Sequence, residues 1–221
     1  MNRKIIARII TGSYAYGTAT DKSDIDIVDI VKPTKEEFLR GDFIFNAQCI
    51  EEPVDLRTMS FHSFCKQLKK GSMNCFEILN SKYIMLPDTE NFLAPLKIFA
   101  RNQAALKSCF GHIESEINRF RYGREMTEKN FATIYTLYYR ICNFIDNPES
   151  VTELNYGQAM DVRNIKTGKV RPTADYIDEI AEDVERLRKL IDNVPVLDVA
   201  KLQCVIDKLS ERMLRGILDE I

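Results

Sequence analysis

Three aspartates and a glycine–serine pair have the residue types and spacing that a chemical site requires. Gly12 and Ser13 open the segment GSYAYGTATDKSDIDI, which ends in Asp24 and Asp26 on a predicted strand. Strand side chains alternate between two faces, so both carboxylates should point the same way, with the isoleucines next to them in the core on the other face. Two parallel carboxylates beside a flexible turn can hold Mg²⁺ against a nucleotide phosphate.

A third carboxylate lies on a later segment. Asp55 stands between Val54 and Leu56, in a short apolar run that follows Pro53. An ionised aspartate in such a strand is costly unless it is paired or binds a metal ion. We therefore expect Asp55 to be the third metal ligand and to activate an attacking hydroxyl by accepting its proton.

The turn at Gly12 has the features of a phosphate-binding loop. It follows a β-branched run, Ile5–Ile10, that predicts a buried strand. Glycine allows backbone to approach a ligand closely, and Ser13 offers a hydroxyl and an amide. The amides that follow should open a short helix whose N-terminus favours anions. Tyr14 and Tyr16 either stack on a nucleotide base or pack over the turn.

These motifs together resemble the DNA polymerase β-type nucleotidyltransferase superfamily. Three segments resemble those of a set of uncharacterised predicted nucleotidyltransferases from bacteria and phages. They are the Gly12 segment, DLRTMSF from Asp55 and KGSMNCFEIL from Lys70. The resemblance is firm over residues 5–80 and implies transfer of a nucleoside monophosphate from a nucleoside triphosphate to an acceptor hydroxyl. It implies two Mg²⁺ ions, replaceable by Mn²⁺, on Asp24, Asp26 and Asp55.

The same resemblance implies that a helical second half supplies basic residues to the triphosphate. Lys70 and Arg140 are the candidates for nucleotide binding, together with Gly12, Ser13 and Tyr16. Weaker candidates are Lys69, Arg119, Arg121 and Arg124. A charged residue on a helix more often lies on a solvated face. Arg140 could equally pair with an acid in the core, and Glu77 could orient a loop or a basic residue.

Composition excludes several other classes of protein. The 221 residues carry 31 basic and 33 acidic side chains, which argues against a surface that coats nucleic acid, so no extended DNA binding is expected. Six cysteines without a Cys-x-x-Cys pair make a zinc site unfavourable and indicate reduced thiols. A P-loop motif is missing. The apolar run near the N-terminus is too short for a signal peptide or a membrane span, so we expect a cytoplasmic protein of a bacterium or of a phage-infected cell.

Hydrophobic periodicity predicts an α+β fold with a mixed sheet and flanking helices, followed by a mainly helical region. Proline at positions 87 and 95 suggests a nucleotidyltransferase domain over residues 1–94 and a helical domain over residues 95–221. The predicted strands are 5–10, 25–31, 44–49, 54–58, 83–86 and a short piece at 160–165. Residues 35–40 are predicted to form a short helix or a turn. The other predicted helices are 60–69, one from 72 or 74, 96–108, 110–122, 128–146, 173–192 and one from about 198.

Two further interpretations stay open from the sequence. The chain could be a catalytically silent, antitoxin-like member of the same fold that binds a nucleotide or a partner, although all three acids are present. A purely helical interaction protein would require the motif to be coincidental. The acceptor of an active enzyme could be a protein, a small molecule or an RNA 3′ end.

Overall fold

A five-stranded mixed sheet precedes a series of helices, in the α+β class that the sequence predicts. The computed structural model describes residues 3–123, 125–146 and 153–219. The strands are β1 (Ile5–Ile10), β2 (Ile25–Val31), β3 (Asn46–Glu51), β4 (Val54–Ser60) and β5 (Ile84–Leu86). Their order across the sheet is β3-β4-β2-β1-β5. Strands β2 and β4 run parallel, and every other neighbouring pair is antiparallel.

One face of the sheet packs against helices and forms the core. Val28 and Ile30 of β2 lie on this face with Met59 of β4, and all three are buried. The alternation of the strand places Asp26 on the same face, near the start of β2. The prediction that Ile25 and Ile27 pack in the core was wrong, because both lie on the opposite face and are only half-buried.

The helices of the described residues mostly begin at residues that the sequence marks as caps. They are α1 (Gly12–Ala15), α2 (Lys35–Arg40), α3 (Phe61–Lys69), α4 (Met73–Asn80), α5 (Lys97–Ala100), α6 (Gln103–Arg121), α7 (Glu128–Asp146), α8 (Tyr156–Lys166), α9 (Ala174–Arg188) and α10 (Val199–Asp219). The side chains of Thr34, Ser60 and Thr173 each accept a hydrogen bond from a first-turn amide. Such caps satisfy amides that have no partner within the helix.

Two sequence predictions in the second half were wrong. The segment 160–165 is not a strand but part of α8, which begins with a capping box between Asn155 and Gln158. The two helices predicted over 96–108 and 110–122 are a short helix, α5, and one continuous helix, α6. The side chain of Asn102 caps α6, and Gly111 is accommodated within it.

The sheet and the helices share one continuous hydrophobic core. Buried side chains of β1, β2, α3 and α4 pack in one cluster with those of α6 and α7. The ring of Phe76 on α4 packs against that of Phe144 on α7, tilted by 56° with the ring centroids 4.6 Å apart. The boundary predicted after residue 94 falls within a single 3₁₀ turn, Ala94–Leu96. The division into two domains stays a prediction.

Candidate active site

A cleft of about 240 Å³ opens at the end of the sheet where the inner strands β2 and β4 begin. Its walls bring together the glycine turn, two of the predicted aspartates and a glutamate from α4. The polar or glycine residues that line it are Thr11, Gly12, Tyr16, Asp26, Asp55, Arg57, Asn74 and Glu77. Most of the sequence-predicted motif is therefore gathered in one place.

Asp26 and Asp55 form the floor of the cleft. They are register partners on the parallel strands β2 and β4, so both carboxylates project from the same face. Burial, and then the charges of Asp55 and Asp24, raise the pKa of Asp26 above its ordinary value. Asp24 is exposed and immediately precedes β2, close enough to act on Asp26 without lining the cleft. The other two predicted acids thus both act electrostatically on Asp26.

Two side chains from β3 and β4 border the carboxylates. The Nε2 of Gln48 donates to both oxygens of Asp55, at 2.9 and 2.8 Å, and so fixes the orientation of that carboxylate. Arg57 lies one alternation further along β4, and its positive charge lowers the pKa of Asp26 against the larger effects that raise it. The sequence analysis missed both residues. Arg57 could have been found from its even spacing to Asp55.

The Gly12 turn packs directly against Asp26. Gly12 has a φ of +63°, and a Cβ atom added there would overlap Oδ2 of Asp26 and lie 2.8 Å from its Cγ. The amide of Thr11 donates to the carbonyl of Asp26 at 2.9 Å, which ties the turn to β2. The short helix expected after Gly12 is α1. Glycine is therefore required here both for its backbone conformation and for the close approach.

Tyr16 and Arg140 meet at the wall of the cleft. Nη1 of Arg140 donates to the hydroxyl of Tyr16 at 3.3 Å, and the guanidinium carbon lies 4.8 Å from the ring centroid. Arg140 also forms an ion pair with Glu77, and both side chains are buried. Of the two tyrosines considered for base stacking, Tyr16 is engaged in packing, whereas Tyr14 is exposed.

Helix α8 brings two cations to the far end of the turn. Arg163 donates through Nη2 to the carbonyl of Gly17, and the Nζ of Lys166 donates to the carbonyl of Thr18 at 3.2 Å. Burial lowers the pKa of Lys166, and the nearby Asp26 carboxylate partly offsets this effect. Within the described part of the chain, the buried Nε of Arg163 has no hydrogen-bond partner. The sequence analysis named neither residue.

The other basic residues considered from the sequence lie elsewhere. Lys70 is the exposed residue that ends α3, and it does not line the cleft. Lys69 donates to Gln203, Arg119 pairs with Glu116, and Arg121 pairs with Asp178. Arg124 lies outside the described residues.

The acids of the cleft have the chemistry of a divalent-cation site. In residues 3–123, 125–146 and 153–219, no three Asp, Glu, His or Cys side chains already stand together as a metal site. Carboxylate oxygens are nevertheless the ligands that Mg²⁺ prefers. Burial, and then the negative charges of Asp55 and Asp24, raise the pKa of Asp26, and a cation would neutralise that charge. The residues present therefore fit a divalent ion.

Two further features concern the state of the cysteines and the character of the helices. All six cysteines are free thiols, and Cys65, Cys75 and Cys109 are buried. Over the ranges that the structure describes, none of the helices combines the length and the apolar character needed to cross a membrane.

Comparison with known proteins places the sheet region in a family. Residues 2–85 match the family described as a nucleotidyltransferase domain. A crystal structure of a nucleotidyltransferase-like protein from Exiguobacterium sibiricum is similar at 11% identity, over 99% of this chain and 75% of that chain, with a TM-score of 0.31. That likeness is too distant to carry a functional argument, and no curated protein matches the chain. The family match confirms the resemblance that the motifs indicate: residues 2–85 are similar to nucleotidyltransferase domains of the DNA polymerase β type.

Proposed function

We propose that this chain is an enzyme that transfers a nucleoside monophosphate from a nucleoside triphosphate to an acceptor hydroxyl. The observation that carries the proposal is the register pairing of Asp26 with Asp55 directly beside the Gly12 turn. A nucleotidyl transfer needs carboxylates that hold divalent ions and a backbone turn that accepts phosphates at the same point. The family match over residues 2–85 agrees with this chemistry.

Asp24, Asp26 and Asp55 would hold two divalent ions, Mg²⁺ by preference and Mn²⁺ as a substitute. When bound, these ions would supply Lewis-acid stabilisation of the charge on the phosphate oxygens. The protein's own contribution is to orient the carboxylates. Gln48 fixes Asp55, and the packing of Gly12 against Asp26 fixes the second acid.

The triphosphate would lie between the Gly12 turn and α8. Gly12 and Ser13 would present backbone amides and a hydroxyl to phosphate oxygens. Arg163 and Lys166 hold the other end of the turn through Gly17 and Thr18, and Lys166 lies near enough to Asp26 for the two charges to interact. The buried Nε of Arg163, which has no partner among the described residues, is a donor suited to a phosphate oxygen. These two residues replace Lys70 and Arg140 in our account of phosphate binding.

The acceptor would approach from the side of β4 and β3. Its hydroxyl oxygen attacks the α-phosphorus, the bond between the α-phosphorus and the bridging oxygen to the β-phosphate breaks, and pyrophosphate leaves. The hydroxyl proton passes to the carboxylate of Asp55. Since Gln48 donates to both oxygens of Asp55, it holds that carboxylate in one orientation toward the acceptor.

Calorimetry followed by a pyrophosphate assay tests the proposal. ATP and the other nucleoside triphosphates are titrated with Mg²⁺ into the full chain and into its Asp26→Asn variant. We expect binding to the wild type that depends on Mg²⁺ and pyrophosphate release once an acceptor is supplied. Binding that never leads to pyrophosphate release with any acceptor would instead favour the catalytically silent module.

A further inference from the structure

A buried ion pair connects the helical region to the wall of the cleft. Glu77 of α4 is 6% exposed, Arg140 of α7 is 9% exposed, and their charged groups are in contact. Burial alone would lower the pKa of Arg140, but the adjacent Glu77 and Tyr16 raise it overall. A charge removed from water to this extent persists only when a partner compensates it. The pair is therefore a fixed part of the fold.

Arg140 reaches the Gly12 turn through Tyr16. Its guanidinium both donates to the Tyr16 hydroxyl and lies over the aromatic ring, a geometry that a planar cation can adopt and a lysine ammonium cannot match. Tyr16 in turn ends α1, where its amide donates to the carbonyl of Gly12 at 3.1 Å. A chain of direct contacts thus runs from Glu77 to the glycine that packs on Asp26.

The ion pair also sets the charge of the cleft. Glu77 lines the cleft together with Asp26 and Asp55, and its negative charge contributes to the raised pKa of Asp26. The Arg140 guanidinium in contact with Glu77 neutralises this fourth carboxylate. Without Arg140, the unneutralised charge of Glu77 would make the cleft more negative at the place where a triphosphate is expected to bind.

We propose that Arg140 is a positioning residue that fixes the Gly12–Thr18 turn in its phosphate-binding conformation, acting through Tyr16 while it neutralises Glu77. The inference rests on the proposed function, because the conformation of the turn matters to activity only if the turn binds phosphates. It makes the helical region part of the site, although Arg140 itself contacts no substrate. It differs from the sequence expectation that Arg140 binds the nucleotide directly.

Hydrogen exchange of the turn amides, followed residue by residue in the metal-free and nucleotide-free protein, tests the inference. Arg140→Met alone would leave Glu77 buried and unpaired, so the variant to compare is the double change Glu77→Gln with Arg140→Met. We expect the amides of Tyr16, Gly17 and Thr18 to exchange about tenfold faster than in the wild type, while β2 amides keep their protection. Tyr16→Phe, which keeps the ring but loses the hydroxyl, should have a smaller effect on the same amides.

Arg188→Met is the matched control. Arg188 also pairs with a glutamate, Glu114, and lies over an aromatic ring, that of Phe110. Among the described residues, none of its ion pairs or ring contacts involves the turn. Its loss should leave the exchange of the turn amides unchanged. Unchanged turn amides in the folded double variant, or a uniform loss of protection in the whole protein, would overturn the inference. Failure of the wild type to bind ATP with Mg²⁺ would contradict the proposed function and is measured separately.

Discussion

Asp26 and Asp55 are register partners on neighbouring parallel strands, and their carboxylates share the face of the sheet that elsewhere forms the core. Both side chains are half-buried, and their negative charges repel each other. Burial first, and then the charge of Asp55, raise the pKa of Asp26. The fold therefore keeps two carboxylates in an electrostatically unfavourable arrangement, and a bound cation would reduce their repulsion. Sites of this kind are typically functional, since stability is lost there for the sake of chemistry.

Asp26→Asn should separate activity from stability. Because the folded-state pKa of Asp26 is raised, its ionisation opposes folding, and this penalty grows as pH rises through that pKa. The neutral variant should therefore have a higher melting temperature than the wild type without metal at neutral pH. It should lose about a thousandfold or more of its transfer activity. Thermal unfolding with and without Mg²⁺ should show stabilisation of the wild type only.

The control for this variant is Asp29→Asn on the same strand. Asp29 lies on the opposite face and makes two hydrogen bonds of 2.7 Å with Arg8. Its loss should lower the melting temperature and leave the stabilisation by Mg²⁺ in place. If Asp26→Asn has a lowered melting temperature and is still stabilised by Mg²⁺, Asp26 is not a ligand of the metal.

Gly12→Ala should disrupt the turn more than glycine conformation alone explains. The positive φ costs an alanine about 1 kcal/mol. At Gly12 the new methyl group would also displace the carboxylate of Asp26. Gly168→Ala has a similar φ of +72° with nothing within 4 Å, so it isolates the conformational cost. Denaturant unfolding should show the larger loss for Gly12→Ala, together with loss of ATP binding. Equal losses of unfolding free energy in the two variants, with ATP binding intact in both, would contradict the close approach of Gly12 to Asp26.

The acid limb of the pH profile of kcat/KM, measured at Mg²⁺ concentrations below saturation, should report the ionisation of Asp26 in the metal-free enzyme. Mg²⁺ binding requires the carboxylate, so kcat/KM should fall as pH decreases through a pKa above the ordinary value of aspartate. Arg57 lowers that pKa, so Arg57→Met should move the limb to higher pH. Arg215→Met, which removes an exposed partner of Glu211 on α10, should leave it in place. A limb that moves to lower pH in Arg57→Met would contradict the assignment.

Lys166→Met should weaken the binding of ATP with Mg²⁺ by about tenfold and affect AMP much less, because in the proposed site this cation, held at the Thr18 carbonyl, interacts with the outer phosphates. Lys169 is exposed in the turn after α8, and Lys169→Met serves as the control. Calorimetric titration of both nucleotides gives the comparison. An equal loss of affinity for ATP and AMP would place Lys166 away from those phosphates.

The sequence predicted the local parts of the fold well. β1 and β2 begin and end where their hydrophobic patterns indicate, and the segment 35–40, predicted as a short helix or a turn, is the helix α2. Asp24, Asp26 and the Gly12 turn lie within one segment, so alternation along a strand and the need for glycine were enough to relate them. Asp55 is near Asp26 because β4 pairs with β2, and the apolar run around it gave the signal for that strand.

The remaining parts depend on contacts between distant segments. Arg163 and Lys166 meet the turn across more than a hundred residues, and α8 itself was mistaken for a strand because its short apolar pattern was considered without its capping box. Arg140 was expected at the nucleotide because the family resemblance implies that the helical second half supplies basic residues to the triphosphate. Its partner, Glu77, becomes evident only when α4 and α7 pack together.

Label transfer from nucleoside triphosphates tests the central claim most directly. The full chain is incubated with Mg²⁺, a bacterial lysate and each triphosphate, labelled in parallel at the α- or the γ-phosphate. Nucleotidyl transfer predicts that an acceptor takes up the α-label and not the γ-label, that pyrophosphate forms, and that Asp26→Asn abolishes both. Transfer of the γ-label, or uptake of α-label that persists in Asp26→Asn, would contradict the account.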